Sequence, residues 1–126
     1  LTDEIKAFAA RYTEAWCSQE PSRVAEFFSP RGSLKVNDGA PAVGRDQIAA
    51  VARSFMTDFP DLAITMDRVI ENGERTEYHW TLDGTYRANG RRVRVSGYES
   101  WAFGPDGLIE SSLGRFDAAD YQRQIS

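Results

Sequence analysis

The chain holds 126 residues, 41% hydrophobic and 27% charged, with a formal net charge of −4 at pH 7. That length suits one domain, residues 1–126, with a real core, and the acidic balance argues against a surface that tracks nucleic-acid phosphates. A single cysteine, Cys17, and a single histidine, His79, leave no internal disulfide, argue against a cysteine-based zinc site and exclude two-histidine metal sites within the chain.

In chain order, the first apolar pattern is helical: Ile5, Phe8, Ala9, Tyr12, Ala15 and Trp16 fall on one face. Thr2 is placed to cap this helix, and Asp3 and Glu4 suit its positive end. Pro21 stops it and opens a second helix with Val24, Phe27 and Phe28 on one face, which Pro30-Arg31-Gly32 ends. Ser33–Val36 reads as a short strand, Asn37-Asp38-Gly39 as a turn and Ala40–Val43 as a short extended piece. Gly44 precedes a third helix whose stripe is Ile48, Val51, Ala52, Phe55, Met56 and Phe59, and Pro60 closes it.

From Leu62 the period changes to two. Leu62, Ile64 and Met66 alternate with Ala63 and Thr65, and a phase slip near Arg68-Val69 predicts a bulge. Asn72-Gly73 marks a hairpin. Thr76, Tyr78, Trp80 and Leu82 then alternate with Glu77, His79, Thr81 and Asp83. After a turn at Ala88-Asn89-Gly90, two long strands, Arg91–Phe103 and Leu108–Phe116, are joined by Gly104-Pro105-Asp106-Gly107. Asp117–Ile125 is a short helix or a fraying tail. Helices followed by an antiparallel meander give an α+β class, with the helices on one sheet face. The other face must be polar or be buried against a second copy of the chain.

The last hairpin carries the chemistry. Val93, Val95, Trp101 and Phe103 share one parity with Gly97 and Glu99, so a carboxylate is set into an apolar strand face. Pairing Phe103 with Leu108 sets Trp101 opposite Glu110, Glu99 opposite Ser112, Gly97 opposite Gly114 and Val95 opposite Phe116. On the other side, Trp80 pairs with Gly97 and Tyr78 lies beside Glu99. The small residues at the centre of this face leave either a cavity or room for the Trp80 ring. A buried carboxylate there serves as acid, base, polar anchor or structural hydrogen-bond acceptor. Glu110 is either a second acid or a solvated rim residue. His79 falls on the outer face beside Tyr98, where Asp83, Arg94 and Asp117 are expected to form a ladder.

Several stretches together resemble the nuclear transport factor two-like fold, and within it the SnoaL-like group of polyketide cyclases. Ala10-Arg11-Tyr12 through Val24-Ala25-Glu26-Phe27-Phe28 is similar to the group's helical opening. Val43-Gly44-Arg45-Asp46-Gln47-Ile48, Trp80-Thr81-Leu82-Asp83-Gly84-Thr85 and Asp106-Gly107-Leu108-Ile109 resemble its third-helix entry, its W-x-x-x-G strand and its last hairpin. The resemblance implies three N-terminal helices packed in the concave face of a curved, mostly antiparallel sheet, a cone with a pocket inside. It also implies a homodimer through the outer sheet face. Tyr12 matches the helix-one tyrosine of ketosteroid isomerases, but their aspartate base falls near Val36 and Asn37. Where the cyclases carry two histidines and an aspartate, this chain has Tyr86, Trp101 and Gly114.

The expected site therefore has Glu99 and Tyr12 as catalytic residues, in a pocket of Trp16, Phe55, Phe59, Tyr78, Trp80, Tyr86, Trp101, Ser112 and Phe116. Its ligand is a small apolar or aromatic molecule, with no metal or other cofactor. Three functions stay open: a cofactor-independent isomerase, cyclase or lyase; a binding protein without turnover; and an association module with a filled core. No apolar run has the length of a membrane span and no leader is read at the start, so the expected location is the cytoplasm.

Overall fold

The computed structural model describes residues 2–126. Two helices, α1 (Asp3–Trp16) and α2 (Pro21–Ala25), lead into β1 (Phe28–Val36) and the short β2 (Ala42–Val43). Helix α3 (Arg45–Asp58) is followed by β3 (Ala63–Asn72), β4 (Arg75–Thr85), β5 (Arg92–Phe103), β6 (Ile109–Phe116) and α4 (Ala118–Ile125). The strands form one curved, unclosed sheet in the order β2-β1-β6-β5-β4-β3, in which only β1 and β6 run parallel. The class is α+β, and the helices fill the concave side.

Helix α1 forms where its caps and stripe place it. Thr2 accepts from the Ile5 amide at 3.2 Å, and Phe8, Ala9, Tyr12, Ala15 and Trp16 are its buried residues. Helix α2 is shorter than the sequence reading: it stops at Ala25, and Phe28 already begins a strand by pairing with Ile109. Helical spacing cannot separate Phe27 and Phe28 from a strand start. Between Phe28 and Ser33 the register on β6 shifts, and Pro30-Arg31-Gly32 forms the irregularity. At Gly32 a Cβ would stand 2.7 Å from the Ile109 carbonyl oxygen, so the parallel strand approaches there only because the side chain is missing.

The bulge in β3 falls between Met66 and Arg68, so Asp67 is the extra residue, one position before the expected slip. The hairpin after it closes at Asn72 opposite Arg75. Strand β4 alternates as read except that Thr81, hydrogen-bonded to Asp67 and Ser96, is buried and Trp80 is half-buried; Trp80 pairs with Gly97 and Tyr78 with Glu99.

The β5–β6 register differs by two residues from the expected one. Trp101 faces Ser112, Glu99 faces Gly114 and Gly97 faces Phe116, with an irregularity at Ala102/Phe103. The cause lies in the turn, where the Gly104 amide bonds the Leu108 carbonyl and Phe103 pairs with Ile109 rather than Leu108. A shift of two preserves which side chains face inward. The shift instead makes Glu110 the extra, unpaired residue at the irregularity, with its side chain exposed. It also removes Asp117 from the expected ladder: Arg94 meets Asp83 at 3.6 Å, and Asp117 instead caps α4 by accepting from the Asp120 amide.

Past Gly97, β6 no longer runs beside β5. There the side-chain amide of Gln124 from α4 accepts from the Arg94 N–H at 2.7 Å and donates to the Arg94 carbonyl at 2.9 Å. Asn89 and Arg91 donate to the last carbonyls of α4, and Tyr121 packs its ring on Phe59 and Phe116. The C-terminal segment is therefore a docked helix. Among the described residues no helix is long and apolar enough to cross a membrane.

Candidate functional site

Strand β5 turns Val93, Val95, Glu99 and Trp101 to the buried side, as the alternation requires. Glu99 is 7% exposed and lies between Tyr78 on β4 and Gly114 on β6. Its Oε1 accepts from Ser112 Oγ at 2.7 Å, from the Tyr12 hydroxyl at 2.9 Å and from Trp101 Nε1 at 3.1 Å. Among the described residues its Oε2 accepts only from the Tyr12 hydroxyl, at 3.0 Å. All three donor groups are neutral. Burial raises the Glu99 pKa above the ordinary carboxylate value, and the donors from Ser112, Trp101 and Tyr12 offset only part of that rise.

Of the two tyrosines around this acid, one is committed to it and the other to the Thr13 side chain. Tyr12 is fully buried and donates to Glu99; burial and the neighbouring carboxylate hold its hydroxyl well above the ordinary range. The Tyr78 hydroxyl is hydrogen-bonded to Thr13, and Thr13 spends its own proton on the Ala9 carbonyl. Tyr78 is thus the donor of that pair. Its pKa is raised as well, chiefly by burial. The indole N–H of Trp16 is sealed from solvent and has no hydrogen-bond partner among the described residues.

A cavity of about 70 Å³, partly open to solvent, lies against Glu99. Its buried lining is Trp16, Leu34, Tyr78, Leu82, Glu99 and Gly114; its half-buried lining is Val36, Val51, Phe55, Ile64, Trp80 and Phe116. Glu99 is the one charged residue among them. Trp80 lies over Gly97, where a Cβ would meet its Cζ2 at 2.7 Å. It does not cover Gly114, whose nearest side-chain neighbour is Glu99 itself. The ring therefore occupies part of the expected hollow and leaves the rest open.

Of the residues expected to line the pocket, Trp16, Phe55, Tyr78, Trp80 and Phe116 do so, with Glu99. Trp101 and Ser112 do not: both are fully buried behind the carboxylate, where Trp101 stacks on Tyr78 at 4.8 Å. Tyr12 stands with them as a donor to Glu99 rather than as a cavity wall. Phe59 and Tyr86 pack on each other, because Phe59 fills the space above Gly84 away from the cavity. The sequence reading missed the aliphatic wall of Leu34, Val36, Val51, Ile64 and Leu82. Each sits at an inward position of its own element, but only the assembled sheet brings them to one hollow. Among the described residues no group of three or more His, Cys, Asp or Glu side chains is placed to hold a metal ion.

In fold the chain is similar to several solved proteins. One is a nuclear transport factor two-like protein of unknown function from Burkholderia pseudomallei, 23% identical, covering 99% of each chain with a TM-score of 0.85. Another is a protein of ketosteroid isomerase-like fold from Catenulispora acidiphila, solved in complex with trimethylamine; it is 16% identical over 98% of this chain and 93% of that one, TM-score 0.84. A third is SalBIII, an epoxide hydrolase/cyclase-like enzyme of pyran ring formation in the polyether salinomycin, 17% identical over 95% and 97%, TM-score 0.80. No curated protein sequence matches the chain. The family model for the SnoaL-like domain matches residues 9–112, and with the cone and its helices in view the chain belongs to that family.

Proposed function

We propose that this chain takes a small, largely apolar molecule into the cavity and acts on it as a cofactor-independent isomerase, cyclase or lyase, with Glu99 moving a proton. The observation that carries the reading is a single acid at the buried end of an otherwise apolar cavity, with its two oxygens unequally used. Oε1 is occupied by three donors and Oε2 by one shared donor, so Oε2 is the oxygen left to hold or take the proton. A carboxyl raised by burial holds its proton closer to neutrality than an exposed one, which suits general acid–base work. Tyr12 is a positioning residue in this scheme, since its hydroxyl fixes the carboxylate rather than reaching the cavity. SalBIII, similar in fold, supports ring formation as the reaction class, and the trimethylamine complex of the Catenulispora protein supports small-molecule binding.

A panel of small cyclic enones and epoxides, followed by NMR with the native chain and with Glu99→Gln, tests the proposal. The expected result is turnover by the native chain that falls about a hundredfold or more in the variant while binding is kept. Equal turnover by both proteins would remove Glu99 from the reaction. Binding without any turnover is the second reading, favoured by the saturation of Oε1, which also suits a fixed anchor. It gains support if panel members bind in the cavity and none is converted.

We also infer that two copies pack through the outer sheet face, where Leu113 is 43% and Tyr98 36% exposed on adjacent strands. Sedimentation of the native chain against Leu113→Glu checks this: a dimer that becomes a monomer is expected, and a native monomer would refute it.

A further inference from the structure

We infer that the cavity is selective for a small alkylated ammonium group, tertiary or quaternary, whose positive charge compensates Glu99 while its alkyl groups rest on aromatic rings. The inference rests on the cavity being a ligand site, as read above, and not on whether the ligand is turned over.

The charge comes first. Glu99 is 7% exposed, and the groups that bond it, Tyr12, Trp101 and Ser112, are all neutral. None of the cavity's lining residues is a lysine, arginine or histidine. A buried carboxylate without a cation beside it either keeps a proton or acquires a counter-ion. The lone pairs still open are on Oε2, which shares one donor with Oε1. An anionic ligand would add a second negative charge to this site. A neutral one would leave the first uncompensated wherever the acid has released its proton.

The walls then choose among cations. Trp16, Phe55, Tyr78, Trp80 and Phe116 all border the hollow, and aromatic ring faces attract positive charge. Trp16 presents ring carbon there, since its N–H is sealed from solvent. A hydrated metal ion would need six or more oxygen ligands and finds one carboxylate. A primary ammonium would bring three N–H donors to a site with one free acceptor. Alkylation removes those donors and replaces them with surface that suits apolar walls. A tertiary ammonium has one N–H for Oε2, and a quaternary one has none to satisfy.

Size sets the last limit. An engineered apolar cavity of about 150 Å³ holds benzene, and this one measures about 70 Å³. It is partly open to solvent, so a head group seated against Glu99 need not be fully enclosed and one substituent can run outward.

The test compares choline with 3,3-dimethylbutan-1-ol, in which carbon replaces the charged nitrogen and the shape is kept. Binding is followed by calorimetry and by the fluorescence of Trp16 and Trp80. Choline is expected to bind about tenfold or more tighter than the neutral alcohol, and Glu99→Gln to abolish that preference. Trp80→Leu keeps the carboxylate and should weaken choline more than the alcohol, which serves if the Gln variant does not fold. Equal or tighter binding of the alcohol overturns the selectivity for cations and leaves the cavity as a ligand site. Failure of both compounds to bind overturns the inference and removes support from the cavity itself.

Discussion

The hydroxyl of Tyr12 can be removed almost without touching anything else. Tyr12→Phe keeps the ring and its edge contacts with Trp16, Phe27, Tyr78 and Trp101, whose centroids lie 6.4, 5.6, 5.4 and 5.1 Å away. What is lost is one hydroxyl that bridges both oxygens of Glu99 at 2.9 and 3.0 Å. Oε2 is then left without a donor in a buried setting. A hydrogen bond to a charged partner contributes about 1.5–3 kcal/mol, so the substitution should cost roughly 2 kcal/mol. For a chain of this length that is about 8 °C in melting temperature. In a Glu99→Gln background the partner is neutral and the same change should cost only about 1 kcal/mol. The four proteins form a double-mutant cycle, measured by urea unfolding at neutral pH, with an expected coupling of about 1 kcal/mol. Additivity to within about 0.5 kcal/mol would refute a charged contact between Tyr12 and Glu99 and mean that the acid is held there in its neutral form.

Three further outcomes follow from the geometry. Burial places the folded-state pKa of Glu99 above its ordinary 4.5, so between these values the native chain holds a proton that the unfolded chain has released. Stability from this group therefore falls as pH rises through that window, and Glu99→Gln should lose that fall in urea midpoints taken across it; a native profile that instead rises relative to the variant contradicts the shift. Gly97→Ala brings a Cβ to 2.3 Å from the Arg115 carbonyl and 2.7 Å from the Trp80 ring, which should cost about 1–3 kcal/mol and shift the tryptophan emission. Native-like stability and emission there would show that the ring does not lie on this backbone. Gln124→Ala removes both bonds to the Arg94 backbone, and the Arg94 amide should then lose protection in hydrogen exchange. Unchanged protection would mean that another group holds that edge.

Much of this fold is legible in the sequence because each element carries its own signal. The α1 stripe, the Gly44 entry to α3, the alternation of β4 and the turn after Phe103 all act within a few residues. What was not legible depends on contacts between distant segments. Phe28 has helical spacing from Val24, yet it joins a strand because Ile109 is there to pair with it. The β5–β6 register hinges on one residue at Ala102/Phe103, which no turn propensity determines. At the site, inward parity was enough to single out Glu99, and its position beside Tyr78 followed from pairing. The donors on Oε1 required side-chain directions: Trp101 turns back toward its own strand neighbour, and Ser112 reaches Glu99 from a diagonal position. Aromatic residues were over-read as cavity walls for the same reason, since Trp101, Phe59 and Tyr86 are equally inward but filled by their neighbours.

The pairing of Gln124 with Arg94 also bears on the part of β5 that β6 leaves uncovered. A stretch of β5 left without its neighbour offers a template on which a stray segment of another molecule can add itself. One glutamine amide blocks that template with the two bonds an incoming strand would have made, and it does so from a helix, which offers no further edge of its own. The C-terminal helix thus takes up the one backbone position of β5 that an incoming strand would need at Arg94, at a place separate from Glu99.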